Sequence, residues 1–490
     1  MTAQLVRAAS VIGHLGANAI LIENGSISAI GPAGALGSAG IEVIDHGTGV
    51  LAPTLHDHHF HPVGYASAVT GLSLKSAVDL ADLLSMVRAA AEMLGPNEAL
   101  IGNRLDEERL AGARLPTRDD LDQVVPDRPT LLYRYCGHIA VANSAALKLA
   151  GLIGDGLTGD GILREEAIQP VSNALAGVRP ALALEDVNRA LAGLPSLGLG
   201  RITAIVSVGE PLWCGVSDEI ETLLAVATSV PIDFETLVIA STAAELETAA
   251  QRLGGGAENV SFLGWKDFAD GSLGGRTAAL HEPYSDDPAN RGVLRLDPVH
   301  SRQMAEACLG LGGTVAVHAI GDLANDRVLE LFEDLCRQGA DPQRLRIEHA
   351  SVLAPGAVDR MAALGVTASV QPAFLASEGG WLGKRLGSRT ERTYALEAMT
   401  TAGVRMVGGS DCPVEPPNPW GGISAAAGAG RLGPERALAL FSQPLAPGNG
   451  ADFLVIDCDP LTSPELGSTR VLASYRRGQP LRLLEELPFF

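Results

Sequence analysis

The stretch from residue 50 to 62, Val-Leu-Ala-Pro-Thr-Leu-His-Asp-His-His-Phe-His-Pro, decides how the rest of the chain is read, because it sets four histidines and an aspartate behind a short apolar run. An extended strand turns successive side chains to opposite faces. Asp57, His59 and His61 therefore share one face, and His56, His58 and Phe60 share the other. Each face carries a His-x-His pair. Two imidazoles at i and i+2 can reach one cation at roughly 2.0–2.1 Å, the usual Zn–N distance, so both pairs qualify at this point.

The chain has 490 residues, 46% of them hydrophobic, which allows about three domains of roughly 150 residues each. No apolar run of about 18 residues is present to span a bilayer, and the first residues lack the pattern of a secretory leader. A cytoplasmic protein is expected. Six cysteines (Cys136, Cys214, Cys308, Cys336, Cys412 and Cys458) are scattered without a Cys-x-x-Cys pair, the pattern of reduced packing residues and not of a disulfide frame. Formal net charge is −21, from 36 basic and 57 acidic residues. A surface of that sign repels phosphate backbones and anionic headgroups, so the expected partner is a small-molecule substrate, with no nucleic acid, no membrane and possible homodimer formation.

Downstream and upstream of the histidine stretch the patterns differ. Near the start, Asn24-Gly25 separates two short apolar runs between residues 19 and 30, and this dipeptide suits the two positive φ angles of a type I′ hairpin turn. Near the end, residues 451–457 and 470–475 read as strands. Two terminal β segments too short to stand alone are expected to pair into one sheet. Between them, strand-like runs alternate with helix-like ones, which predicts a parallel sheet with helical crossovers. Eight strand candidates end at His59, Val208, Ile239, Lys266, His318, His349, Val370 and Asp411. A ninth, from Thr130 to Cys136, exceeds the eight places of a barrel and must lie elsewhere. Residues 63 to about 195 hold it, together with a helix-like stretch over 77–94 and a Gly-rich piece from Gly151 to Gly161. An insertion after the first barrel strand emerges at the C-terminal face, where barrel active sites lie, as a lid or pocket wall.

Four further positions fall where a strand gives way to its loop. Lys266 lies on an otherwise apolar strand, His318 precedes an amphipathic helix with Val328, Leu331, Phe332 and Leu335 on one face, His349 shares its strand face with Leu345 and Ile347, and Asp411 is followed by Cys412-Pro413. Singly, a His at a strand end or an Asp before a turn is commonly structural. In order they form a series: His-x-His, Lys, His, His, Asp on the first, fourth, fifth, sixth and eighth barrel strands.

That series, with Pro-x-x-x-Asp-x-His-x-His at 53–61, resembles the amidohydrolase superfamily at every metal position. The resemblance selects His59 and His61 from the two pairs. Lys-x-Phe-x-Asp-Gly-Ser-Leu-Gly-x-Arg at 266–276, His-Ala-Ile-Gly-Asp at 318–322, Ile-Glu-His at 347–349 and Gly-Ser-Asp-x-Pro-Val at 409–414 look like the amidohydrolase family that includes N-substituted formamide deformylase. Gly137-His138 and Asn143-Ser144-x-Ala-Leu147 are similar to it too. The resemblance implies an α/β fold, a (β/α)8 TIM barrel over residues 51–62 and 196–439. To this it adds a small β-sandwich built from both chain termini (1–50 and 440–490) and an inserted α/β domain at 63–195.

It further implies two divalent metal ions, most simply zinc, one held by His59, His61, Lys266 and Asp411 and the other by Lys266, His318 and His349. A buried lysine loses its proton readily, and its neutral amine can add carbon dioxide, so Lys266 would bridge the metals as a carbamate; the alternative is an ion pair with Asp267 or Asp270. The implied chemistry is hydrolysis of a carbon–nitrogen bond other than a peptide bond, with Asp411 as catalytic proton shuttle. An ester, lactone or carbamate substrate stays open, as does a non-catalytic regulator on the same fold. His138, Arg276 and Trp381 are the candidates for substrate contact, with Tyr133 and Trp420 as further pocket walls. Thr54, where the family usually has Gly, and His56 and His58, where it has apolar or small residues, depart from the pattern.

Overall fold

The computed structural model describes residues 3–37, 40–152, 159–209, 218–463 and 465–484. Cys214, part of the Gly-rich piece before Gly161 and the last six residues lie outside them. Eight parallel strands form the central sheet: β1 (Leu55–Phe60), β2 (Leu199–Ser207), β3 (Asp233–Ile239), β4 (Val260–Phe268), β5 (Thr314–Ala319), β6 (Leu345–His349), β7 (Thr367–Val370) and β8 (Arg405–Gly408). They follow one another around the sheet in sequence order. β1 and β8 close the ring just beyond their ends, through a bridge between Phe60 and Cys412 and through Asp411 N donating to the His59 carbonyl at 2.8 Å. These are the eight strands expected from the sequence.

The alternation along each strand sorts residues into two layers. On β2, Ile202, Ala204 and Val206 join the large core under the helices, whereas Ile205 meets Leu237 of β3 and Ala316 of β5 in a small cluster of their own. The second cluster is the barrel interior, filled by side chains as such barrels are. The amphipathic helix Asp322–Arg337 after β5 buries Val328, Leu331, Phe332 and Leu335 as its spacing predicts, and Leu329 besides.

The ninth strand, Thr130–Arg134, is the centre of a separate five-stranded sheet made by the chain between β1 and β2. Ile139–Ala142 pairs antiparallel with it, and Ile162–Arg164 pairs antiparallel with Ile139–Ala142 in turn. Polar contacts tie this sheet to the barrel loops: Arg104 Nη1 donates to the Pro413 carbonyl at 3.4 Å, Arg164 Nη1 to the Gly275 carbonyl at 3.1 Å, and Arg295 Nη1 meets Glu165 at 3.2 Å.

The termini pair differently from expectation. The Asn24-Gly25 turn, with φ of 53° and 77°, joins Ala19–Glu23 to Ser26–Gly31, but this hairpin sits in a four-stranded sheet without the C-terminal strands. Those strands lie in a second sheet, where Phe453–Ile456 pairs antiparallel with Val50–Pro53 on one side and with Val471–Arg476 on the other. Ile20, Ile22 and Ile27 of the first sheet share an apolar core with Leu51, Phe453 and Val455 of the second. Each short sheet thus buries its apolar face on the other, and backbone bonds from Ile27 N to the Asn449 carbonyl and from Ala451 N to the Gly25 carbonyl, both 2.9 Å, join the hairpin to the chain entering the second sheet. The five described cysteines are free thiols, and no helix among the described residues is long and apolar enough to cross a membrane.

Candidate functional site

β1 reaches the centre with a break in its alternation. Asp57 stands opposite Ile202 and Phe60 opposite Ala204, so three steps on β1 match two on β2. An extra residue of this kind is a β-bulge, which re-aims side chains. Glu348 of β6 faces the interior, since Leu345 and Ile347 on the other face belong to the outer core. His59 Nδ1 lies 2.5 Å from Glu348, and His58 feels the charges of both Arg346 and Glu348. Neighbouring histidines therefore both turn inward, where simple alternation separates them.

They turn inward at different depths. His59 and His61 line one cavity together with Lys266, His318, His349 and Asp411. His56 and His58 stack on each other with ring centroids 3.6 Å apart and open on another cavity beside Thr54, Arg201 and Asp233. His56 Nε2 is 3.1 Å from Thr203 Oγ1. The upper pair gathers the ligand types: atoms of His59, His61 and Asp411 lie within 4.8 Å of one another, with Asp411 Oδ1 at 3.3 Å from His59 Nε2 and 3.2 Å from His61 Nε2. The ring of His349 is 4.8 Å from His59 and 4.5 Å from His318.

These donors fit a divalent cation. A ligating histidine usually has its second nitrogen held by an oxygen, which sets its tautomer and orientation. Here His59 Nδ1 meets Glu348, His318 Nε2 meets the Gly271 carbonyl at 3.0 Å, and His349 Nδ1 meets Gln371 Oε1 at 2.7 Å. Burial pushes His61 and His318 below the ordinary imidazole range and His349 down to about 3, so the ligating neutral form prevails. Burial acts on His59 in the same direction, but Asp411 and Glu348 outweigh it and hold that imidazole up. Burial would raise Asp411, yet His59 and His61 keep it well below the usual carboxylate range.

Lys266 is 1% exposed. Its Nζ rests 3.6 Å from the centre of the Phe268 ring and donates to the Asp267 carbonyl at 3.2 Å. The two aspartates of the ion-pair alternative are engaged elsewhere: Asp267 with Ser301 Oγ at 2.6 Å, Asp270 with the backbone N–H groups of Ala279, Ile320 and Gly321 at 2.7–3.0 Å. Burial brings the Lys266 amine down to about 8, against the pull of Glu348 and Asp411.

Sequence reasoning passed over the residues that hold these groups. Asp57 is fully buried and accepts from Ser410 Oγ at 2.5 Å, Ser410 N at 3.0 Å and His59 N at 3.1 Å, pinning the end of β1 to the segment that carries Asp411. Gly409 permits this approach, because a Cβ there would stand 2.6 Å from His59 N. Asp411 and His349 have φ of 57° and 72°, a left-handed conformation that non-glycine residues keep where the surroundings enforce it. For His349 it explains how a residue on the outer face by parity points into the cavity. The inward parity of Glu348 within Ile-Glu-His was the one available signal; Gln371, just after β7, offered none.

The substrate candidates separate. His138 and Tyr133 line the cavity, as does Cys136. Arg276 is committed to Asp286, at 3.0 Å and 3.3 Å, and does not belong to the lining. Trp381 lies in the adjoining hollow with Arg104, Tyr135 and Val414. Trp420 is 3% exposed within the outer core.

Comparison with known proteins agrees with this geometry. The profile described as amidohydrolase family matches residues 42–440. YtcJ of Bacillus subtilis (strain 168) is 31% identical over 424 residues, covering 83% of this chain and 79% of its own. N-substituted formamide deformylase of Arthrobacter pascens is 25% identical over 531 residues, covering 94% of each. The crystal structure of an uncharacterized metal-dependent hydrolase from Pyrococcus horikoshii OT3 superposes with a TM-score of 0.75 at 25% identity, over 95% of this chain and 99% of that one. With an eight-stranded α/β barrel, a His/His/Asp cluster at its C-terminal mouth and a family profile spanning most of its length, the chain belongs to the amidohydrolase family, whose fold is that of metal-dependent hydrolases.

Proposed function

We propose that the protein hydrolyses a carbon–nitrogen bond in a small non-peptide amide, of the N-acyl or N-formyl kind, at a pair of divalent metal ions. The observation that carries the reading is the convergence of four imidazoles, a buried amine and Asp411 on one cavity. His59, His61, Lys266 and Asp411 would hold one ion, and Lys266, His318 and His349 the other. Imidazole and carboxylate donors suit zinc. The metal supplies, when bound, a Lewis acid for the substrate carbonyl and a water acidified from a pKa of about 15.7 toward about 7.

The chain's own groups do the rest. Burial lowers the Lys266 amine and eases loss of its proton; the neutral amine adds carbon dioxide and releases a proton, and the carbamate gives the two ligand sets a shared anion. Asp411 accepts the proton of the attacking water and delivers it to the leaving amine. Glu348 and Gln371 keep His59 and His349 in their ligating tautomers. Of the cavity lining contributed by the inserted chain, we assign substrate contact to His138.

The test is metal analysis of protein grown with zinc, combined with turnover of N-formyl, N-acyl, ester and lactone compounds. One to two metal equivalents and a preference for amides are expected. Folded protein with well under half an equivalent, or turnover confined to esters and lactones, would reject the reading.

A further inference from the structure

The wall that the inserted chain gives to the cavity carries a cation that hydrolysis at the metals does not use. Arg134 ends the strand Thr130–Arg134 and lines the cavity with Asn103, Arg104 and Tyr135. Its side chain is fully buried, and its Nε donates to Glu107 Oε2 at 2.8 Å. Cζ lies 4.3 Å from the centre of the Tyr135 ring. A Cβ at Gly274, on the loop after β4, would stand 2.5 Å from Nη1 and 3.0 Å from Cζ and Nη2. An aromatic ring and a bare glycine thus cover the flat of the guanidinium.

Its in-plane donors are treated otherwise. Nη1 and Nη2 are both buried without a hydrogen-bond partner. Two further carboxyls feel the charge of Arg134, but each is engaged elsewhere: Asp106 accepts from Glu108 N at 3.2 Å, and Glu378 accepts from the Tyr394 hydroxyl. Asn103 Nδ2, on the adjacent strand Leu100–Leu105, is another buried donor without a partner. That strand is bulged, since Leu132 stands opposite Gly102 and Arg134 opposite Leu105, and the bulge lets the neighbours Asn103 and Arg104 both reach the lining. Glu219, which with Asp411 supplies the carboxylates of the lining, accepts from Ser207 N at 2.7 Å.

A buried donor left without an acceptor is costly, and more so when it is charged. Three such nitrogens on one cavity suit a ligand made of acceptors. The end of a guanidinium presents two parallel N–H groups at the spacing of the two oxygens of a carboxylate. We propose that Arg134 anchors a carboxylate carried by the substrate, through Nη1 and Nη2, so that the preferred amides are anionic ones such as N-formyl and N-acyl amino acids. The proposal rests on the amide-hydrolase reading above and adds the substrate class to it.

It is tested on zinc-loaded full-length protein with both enantiomers of N-formylphenylalanine, with their phosphonate analogue, and with N-(2-phenylethyl)formamide, which differs from the first by the carboxylate alone. Calorimetric binding of 3-phenylpropanoate provides a readout that needs no turnover. Wild type should favour one enantiomer of the carboxylate over the uncharged formamide by roughly ten- to a hundredfold in kcat/KM, the worth of hydrogen bonds to a charged group. Arg134→Gln should lose most of that preference at unchanged zinc content, and should bind 3-phenylpropanoate at least about tenfold more weakly. If Arg134→Gln does not fold because Glu107 is left as a lone buried charge, the double variant Arg134→Gln with Glu107→Gln is read in its place.

A wild-type enzyme that hydrolyses N-(2-phenylethyl)formamide as well as the carboxylates removes the subsite and leaves the hydrolase standing. A variant that keeps the preference, or 3-phenylpropanoate binding that survives the substitution, places the carboxylate on the metals or elsewhere and overturns the role of Arg134. Preference for the phosphonate overturns the carboxylate class. If zinc-loaded protein hydrolyses nothing, the hydrolase reading falls, and the dependence of 3-phenylpropanoate binding on Arg134 alone upholds or overturns the subsite.

Discussion

Replacing Glu348 by Gln should weaken metal binding without removing a ligand. Glu348 is fully buried, and its Oε2 lies 2.5 Å from Nδ1 of His59, itself 1% exposed. The contact does two things: it fixes the tautomer that leaves Nε2 for a cation, and its charge raises the basicity of that nitrogen. Gln keeps the shape and can still accept from Nδ1–H through its amide oxygen, so the tautomer survives and the charge does not. Loss of such a partner costs about 10- to 100-fold in metal affinity, which is about 1.4–2.8 kcal/mol at 1.4 kcal/mol per tenfold. Arg346 also faces Glu348, so some loss of folding stability accompanies the change, and the two effects must be read separately. Zinc affinity measured by chelator competition, with urea unfolding of the metal-free protein alongside, separates them. A zinc affinity within threefold of wild type would refute the argument that Glu348 acts through His59.

Other outcomes follow from the same geometry. His59→Ala or His61→Ala should abolish metal binding and turnover, whereas His56→Ala should leave zinc content intact, because its ring meets Thr203 in the separate cavity; equal loss of zinc in all three contradicts the assignment. Lys266→Ala should lose metal and activity together, and a short carboxylic acid with excess zinc should restore part of the turnover; near wild-type metal and rate without added acid would end its bridging role. Glu378 is raised to about 7 by burial, despite the Tyr394 hydroxyl that donates to it and the nearby Arg134. A carboxyl raised from 4.5 favours folding below about pH 4.5, and that contribution is lost as pH rises through about 7. Glu378→Gln does not titrate, so its stability relative to wild type should improve between pH 5 and pH 8 by up to ~3 kcal/mol; urea unfolding that shows the same difference at both pH values excludes this origin.

What the amino-acid order settles by itself is local. Strand-like and helix-like periods alternate between residues 50 and 411, and polar residues able to bind a metal recur at strand ends, so an α/β repeat and its candidate ligands are legible without coordinates, while the choice of His59 and His61 over His56 and His58 rests on the resemblance to the amidohydrolase superfamily. Charge and composition are legible for the same reason, being sums over single residues. Pairing between distant segments is not. Alternation assigned His58 and His59 to opposite faces, and a bulge against β2 turned both inward. Parity placed His349 outside, and a positive φ brought it in. Glu348 meets His59 across 289 positions and Ser410 meets Asp57 across 353, contacts for which no period or spacing exists. Arg276 matched the family pattern, yet an aspartate ten residues on holds it outside the cavity lining. The terminal strands, each able to pair with several edges, found theirs only through the apolar faces they had to bury. Residue type and period act within a few positions, so they announce the ligands; the partners that orient those ligands depend on close approach in three dimensions, and only the folded chain supplies that.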